Sequence, residues 1–135
     1  MLSTGEVVTK HSGSLKTLDN KTIELNQIEK TTVVYFFAPW CKICHMSISN
    51  LQAIYEKNDH INVVAVALDY VDHKEVFEFS NQHKLTFPIA LGNEQIKAQF
   101  KVKGYPSYYV INEENTIIAK SMGYSSEIGL LLRTL

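Results

Sequence analysis

The sequence predicts an α/β domain built on a central mixed β-sheet, flanked by helices and extended by an N-terminal β-hairpin. Three observations carry this reading. Residues 33–38 and 61–68 are two nearly all-apolar runs of strand length, the pattern of strands covered on both faces. Between them Cys44, Ile48, Leu51 and Tyr55 recur at steps of three and four, with Ile54 beside them, which marks one apolar face of a helix. Strand, helix and strand in that order imply a parallel pair with a right-handed crossover. The third observation is a late antiparallel signature, residues 107–111 and 116–120 around a polar turn at 112–115, which makes the sheet mixed.

In chain order, residues 11–26 alternate apolar and polar side chains. Leu15, Leu18, Ile23 and Leu25 form the apolar set, and Asp19, Asn20 and Lys21 a turn between them, so a hairpin is expected. Residues 27–32 are a polar connection into the strand at 33–38. Pro39 and Trp40 break that strand, and the helix runs from the Cys41 region to about Lys57, where Asn58 and Asp59 stop it. Asp72 with Glu75 three residues later is in capping-box position for a second helix to about His83, with Val76, Phe77 and Phe79 as its apolar contacts. Phe87, Pro88 and Ile89 interrupt the pattern. Asn93 then caps a short helix carrying Ile96 and Phe100. After the late hairpin Gly123 punctuates, and Ser125 or Ser126 caps a last helix with Ile128, Leu131, Leu132 and Leu135 as its stripe. No internal repeat or linker divides the chain, so residues 1–135 are expected as one domain, with 1–10 as a flexible tail.

A chain of 135 residues can bury roughly two-thirds of its unfolded surface and needs neither a disulfide nor a metal to fold. Its two cysteines are therefore available for chemistry. With a net charge of -1 and no block of like charges, the chain carries no electrostatic footprint for nucleic acid or an anionic membrane. Neither an apolar run of membrane-spanning length nor the basic and apolar regions of a secretion signal are present in the residues shown.

The chemistry begins where the first core strand meets the helix. Cys41, Lys42, Ile43 and Cys44 place the first thiol over a helix N-terminus, where unpaired N–H groups and aligned peptide dipoles favour negative charge. The second thiol lies one helical turn away, within reach of ring closure. Such a pair can cycle between dithiol and disulfide.

At this point the chain resembles the thioredoxin-fold proteins over nearly its whole length. The segment APWCKIC, residues 38–44, resembles the active-site segment of thioredoxin and protein disulfide isomerase. Lys103, Gly104, Tyr105, Pro106 and Ser107 resemble the loop that carries the family's cis-proline. The extra length between these motifs, the LKTLDNKTIEL hairpin and the Phe87–Pro88 segment resemble the TlpA/ResA/DsbE branch of bacterial thiol-disulfide oxidoreductases. The resemblance implies that Cys41 is the attacking nucleophile and Cys44 the more buried resolving thiol. It implies further that Trp40 packs beside the disulfide, that Pro106 is the cis-proline facing the sulfurs, and that Tyr105 supplies backbone that pairs with an extended substrate segment.

Two departures matter. Where thioredoxin has a buried aspartate six residues before its first cysteine, this chain has Tyr35. Where the TlpA/ResA branch commonly has an acidic residue three after the second cysteine, it has Ser47, with Ser49 at a usual proline position. Asp69, at the carboxyl end of the second parallel strand, is the substitute expected as proton relay for Cys44.

The resemblance implies a protein-disulfide reductase that needs no metal or organic cofactor beyond its redox-active Cys41–Cys44 disulfide. Its expected partners are a disulfide-bearing protein such as apocytochrome c and a membrane thiol-transfer protein that restores the dithiol; a monomer is expected. The expected location is periplasmic or otherwise extracytoplasmic, with an anchor on a segment this sequence does not include; a cytoplasmic location stays open. The Lys42–Ile43 dipeptide matches neither the Gly-Pro of thioredoxin nor the Pro-His of a strong oxidase, so a disulfide oxidase or isomerase is the alternative within the fold. A non-catalytic thioredoxin-like binding module is the alternative of another class.

Rival readings of the same residues are weaker. Cys41 to His45 also spells the attachment signature of a c-type haem, but strand–helix–strand surroundings do not make a haem cage. A zinc site would need further ligands from the scattered His11, His45, His60, His73 and His83, of which His73 and His83 read as surface residues. Cys41 is expected to face solvent at the helix start. Alternation sends Tyr108 and Tyr109 to opposite faces, so one of them is expected in the core. Lys42, Lys120 and Arg133 read as solvated charges, and Met46 and Met122 as gap-filling or near-surface side chains rather than copper ligands.

Overall fold

Alternation along one strand divides the molecule. The computed structural model describes residues 14–24, 30–114 and 116–123, and at its centre lies strand β3 (Thr31–Phe37). Val33, Tyr35 and Phe37 point into one apolar cluster, whereas Val34 and Phe36 point into another. Both sets are fully buried, which is why the run reads as continuously apolar rather than alternating.

Around β3 the chain builds β1 (Ser14–Thr17), β2 (Thr22–Glu24), α1 (Lys42–Lys57), β4 (Ile61–Ala67), α2 (His73–His83), β5 (Ile89–Leu91), α3 (Glu94–Gln99), β6 (Ser107–Ile111) and β7 (Ile117–Met122). These strands form one seven-stranded sheet in the order β2-β1-β5-β4-β3-β6-β7. β3 pairs parallel with β4 and β4 with β5, while β1–β2, β1–β5, β3–β6 and β6–β7 are antiparallel. The mixed sheet expected from the sequence is present.

Helices α1 and α2 cover one face through Cys44, Ile48, Leu51, Ile54, Val76 and Phe79. Helix α3 covers the other through Ile96, with Phe100 just beyond it. Helix starts follow local side-chain chemistry: Asp72 and Glu75 close a full capping box on α2, and Asn93 Oδ1 accepts the Ile96 N–H at 2.8 Å. At the other end of α1 the Asn58 backbone N–H and Nδ2 both donate to the Ile54 carbonyl.

Several expectations change. The Phe87–Pro88–Ile89 segment leads directly into a strand, β5, which joins the N-terminal hairpin to the parallel core. Pro88 lacks an N–H but offers its carbonyl to Ala65 N–H at 3.1 Å, so pairing starts at the proline and the strand follows it. Phe77 is an exposed residue of α2, not a core contact. Tyr108 and Tyr109 do face opposite ways, but both are buried, because helices cover both faces of β6. The expected tail at 1–10, Leu25, His11 and the expected C-terminal helix with Arg133 lie outside the described residues.

Gly92 follows β5 against the end of β4. A Cβ there would lie 2.6 Å from Leu68 Cδ2, 2.7 Å from the Ala67 carbonyl oxygen and 2.8 Å from Val66 Cγ1. Since one of those contacts is backbone, Gly92→Ala is expected to destabilise the domain by about 1–3 kcal/mol. A lowered urea midpoint at unchanged slope would show it.

Candidate active site

The carboxyl end of β3 delivers the first thiol. Ala38 and Pro39 are buried, and Cys41 N–H donates to the Ala38 carbonyl at 3.0 Å, closing a tight turn. Cys41 is then the N-cap of α1, with extended backbone, and its Sγ accepts the Cys44 N–H at 3.2 Å. The sulfur does what a serine or aspartate oxygen does at other helix starts. No acidic residue occupies the first turn of α1, so within that turn it is the sulfur that answers the positive helix end. This geometry also corrects an expectation: Cys41 is only 7% exposed. A capping side chain folds back over the first turn instead of pointing outward.

Cys44, one turn on, is fully buried, and both thiols are free. Burial, and then the hydrogen bond with the Cys41 side chain, pushes the Cys44 thiol up to about 12. A backbone hydrogen bond at Ala38 and one with the Tyr35 hydroxyl work in the opposite direction. Tyr35 is itself fully buried; its hydroxyl donates to the Cys44 carbonyl at 3.2 Å and lies 3.0 Å from Ser47 Oγ. Burial foremost holds that phenol above the ordinary tyrosine range.

Strand registry brings two further segments to the same edge. Phe37 lies beside Ala67 of β4, and Phe36 beside Ser107 of β6, so Asp69 and Pro106 follow and precede those residues at the thiol end. The Tyr105–Pro106 peptide is cis, and Pro106 is buried. Trp40, 62% exposed, stands edge-on to Tyr105 with ring centroids 5.8 Å apart, and its indole N–H donates to the Asp69 carbonyl at 2.9 Å. The Asp69 carboxylate takes Lys97 Nζ at 2.7 Å and the Tyr105 hydroxyl at 2.5 Å. Those two hydrogen bonds, Lys97 first, hold Asp69 below the ordinary carboxylate range. Burial, and then the Asp69 contact, raises Tyr105.

On the opposite flank the ring of His45 is fully engaged. Its Nε2 donates to the Pro39 carbonyl at 2.8 Å, and its Nδ1 lies 2.7 Å from Nε2 of His83. Neither nitrogen is left over for the iron of the haem reading. His83 is half-buried, not the surface residue expected, because its ring packs on Phe79, one turn back on α2, and on His45 of α1. Burial first, then the neighbouring His45, holds His83 below the usual histidine range.

The structure therefore brings Trp40, Cys41, Cys44, Asp69, Tyr105 and Pro106 to one sheet edge. Asp69 meets Lys97 and Tyr105 there, not a sulfur. Lys97 was not singled out from sequence, and His83 only as one of five scattered histidines, since a lysine on a short helix and a histidine at a helix end carry no distinguishing spacing. Tyr35 and Ser47 stood out only as departures from a family pattern, yet their hydroxyls meet and Tyr35 also bonds Cys44.

A family model described as the AhpC/TSA family matches residues 10–120. The thioredoxin-like protein YneN of Bacillus subtilis is 32% identical over 108 residues, covering 77% of this chain and 64% of that protein. The thiol-disulfide oxidoreductase ResA of Oceanobacillus iheyensis is 30% identical over 104 residues, covering 74% and 54%. This chain thus spans about half to two-thirds of the length of these relatives. The crystal structure of StoA from Bacillus subtilis superposes with a TM-score of 0.82 at 22% identity, over 95% of this chain and 99% of that one. The fold is thioredoxin-like.

The Asp69 contacts carry a pH signature. A carboxyl held below its ordinary 3.8 stabilises the folded chain above that pH, and the stabilisation is lost as pH falls through the folded value. Asp69→Asn is expected to cost about 1 kcal/mol at pH 7, with the gap to wild type narrowing in urea titrations only as the pH is taken below 3.8.

Proposed function

The chain belongs to the AhpC/TSA family, and from its site we propose that it is a thiol-disulfide oxidoreductase acting as a protein-disulfide reductase. One observation carries the reading: Cys41 caps α1 with its sulfur on the Cys44 N–H, with a second free thiol one turn behind it. In the reductive direction the Cys41 thiolate attacks a substrate disulfide and expels one substrate sulfur as thiolate. Cys44 then loses its proton and attacks Cys41 Sγ. The mixed disulfide breaks, its electron pair leaves on the second substrate sulfur, and the products are a substrate dithiol and the Cys41–Cys44 disulfide. A protein thiol donor must then return two electrons and two protons.

The rest of the edge suits a protein substrate. The backbone at Tyr105, entering β6, offers an extended segment a strand to pair with. Trp40, Ile43 and Met46 add exposed apolar surface beside Cys41, with Ile43 and Met46 at i, i+3 spacing on α1. Pro106 underlies the loop, and Asp69 serves it by holding the Tyr105 ring through a hydroxyl contact. Held below the ordinary range, Asp69 is a poor acceptor for the Cys44 proton. The reading carries with it an extracytoplasmic setting, a membrane thiol-transfer protein as electron donor and a disulfide-bearing protein such as apocytochrome c as substrate.

Three outcomes are expected. Cys41→Ser abolishes insulin reduction, whereas a binding module would keep its function. Cys44→Ser accumulates a mixed disulfide with the substrate protein, visible on non-reducing gels. The Cys41/Cys44 reduction potential lies near or below about -250 mV; a value between about -180 and -120 mV, together with activity on scrambled substrates, would make the protein an oxidase or isomerase instead.

A further inference from the structure

We propose that the buried Tyr35 and Ser47 hydroxyls are positioning residues for resolution, supplying the hydrogen bonds that receive the Cys44 thiolate in place of a carboxylate base. The proposal rests on the reductase reading, because it concerns the second half of that cycle. Its basis is a contact set. Tyr35 lies on β3 and Ser47 on α1, one turn after Cys44, and both have no exposed surface. The Tyr35 hydroxyl reaches the Cys44 carbonyl at 3.2 Å and Ser47 Oγ at 3.0 Å. Among the described residues, the buried polar side chains other than tyrosine are Thr17, Thr32, Ser47 and Ser107, and none is a carboxylate. Of the carboxylates near this edge, Asp69 is occupied by Lys97 and Tyr105, and Glu94, which also acts on Tyr105 and Lys97, stands at the start of α3.

Hydroxyl counting shows why a pair is useful. Tyr35 and Ser47 hold two protons between them, and either oxygen of their shared bond can donate. When charge forms on Cys44 Sγ, the Tyr35 proton can turn to the sulfur while Ser47 donates to the phenol oxygen. No buried donor is left bare, and the new bond to an anion is roughly twice as strong as the neutral one it replaces. Tyrosine hydrogen bonding already acts to lower the Cys44 pKa, against burial. The other titratable groups around this sulfur are Cys41 on the same helix turn, Tyr105 on the proline loop and Tyr108 beside Tyr35. His45 follows Cys44 on α1 and meets His83 of α2.

In the resolving step the Cys44 S–H bond breaks and its proton passes to solvent. The thiolate is held by the Tyr35 hydroxyl, Cys44 Sγ bonds to Cys41 Sγ, and the Cys41–substrate bond breaks. Its electron pair leaves on the substrate sulfur. Among the described residues no buried carboxylate stands in the core to take the proton, so the rate of this step follows hydroxide concentration.

Reaction of the reduced full chain with Ellman's reagent separates the two halves. Attack by Cys41 releases one thionitrobenzoate, and attack by Cys44 on the resulting mixed disulfide releases the second, both read at 412 nm by stopped flow. In wild type the second phase is expected to rise about tenfold per pH unit from pH 5 to 9; a plateau beginning in the range where carboxylates or histidines titrate would assign the proton to a fixed base and overturn the proposal. Tyr35→Phe, which keeps the packed ring, is expected to slow the second phase roughly tenfold with the first unchanged, and Ser47→Ala to slow the same phase. Wild-type rates in both variants would overturn the proposal while leaving the reductase reading intact. Absence of a second release from wild type would overturn that reading itself.

Discussion

Strand β3 is bonded to β4 on one side and to β6 on the other, with both faces buried, and the rest of the site depends on that confinement. A strand in this position cannot slip by one residue without exchanging its two apolar sets between two differently shaped cores. Its end point is therefore fixed, and so is the turn through Ala38 and Pro39 that presents Cys41. The same registry sets where β4 releases Asp69 and where β6 begins after Pro106. Three segments far apart in the chain meet at one edge because one strand between them cannot move.

The two thiols differ through backbone geometry more than through their neighbours in sequence. Cys41 stands at the cap, where its sulfur receives an N–H; Cys44 stands inside the first turn, where the sheet covers it. In the proposed cycle, separation by one helical turn is enough to divide the roles of attack and resolution. It also leaves Cys44 in a setting that opposes its charge, which makes the uncharged polar atoms around it consequential. Tyr35 and Ser47 occupy that setting with hydroxyls, and a buried hydroxyl pair costs far less to desolvate than a carboxylate.

Two side-chain groups brace the turn from outside. Trp40, Tyr105, Asp69 and Lys97 link the thiol turn, β4, α3 and the proline loop, while His45 and His83 tie the Pro39 carbonyl to the end of α2. The braces make Trp40 a link of the site as well as an exposed surface. Rigid support behind and accessible apolar groups in front fit the protein substrate of the proposed reaction.

How much of this was legible in advance follows from the range of each interaction. Periodicity alone determined β3, α1 and β4, because a strand covered on both faces and a helix with one apolar stripe write themselves into consecutive residues. The Asp72–Glu75 box and the Asn93 cap were equally legible, being contacts within four residues. The Cys41–Cys44 pair and the Tyr105–Pro106 loop stood out as motifs. Tertiary structure alone decided that β5 exists, since three residues after a proline pair only because β4 and β1 offer edges. It alone decided that Cys41 folds inward, that both Tyr108 and Tyr109 are core, and that Asp69 joins Lys97 and Tyr105. It also turned the substitutions at Tyr35 and Ser47 into one contact, for side chains twelve residues apart share a hydrogen bond only once β3 and α1 pack face to face.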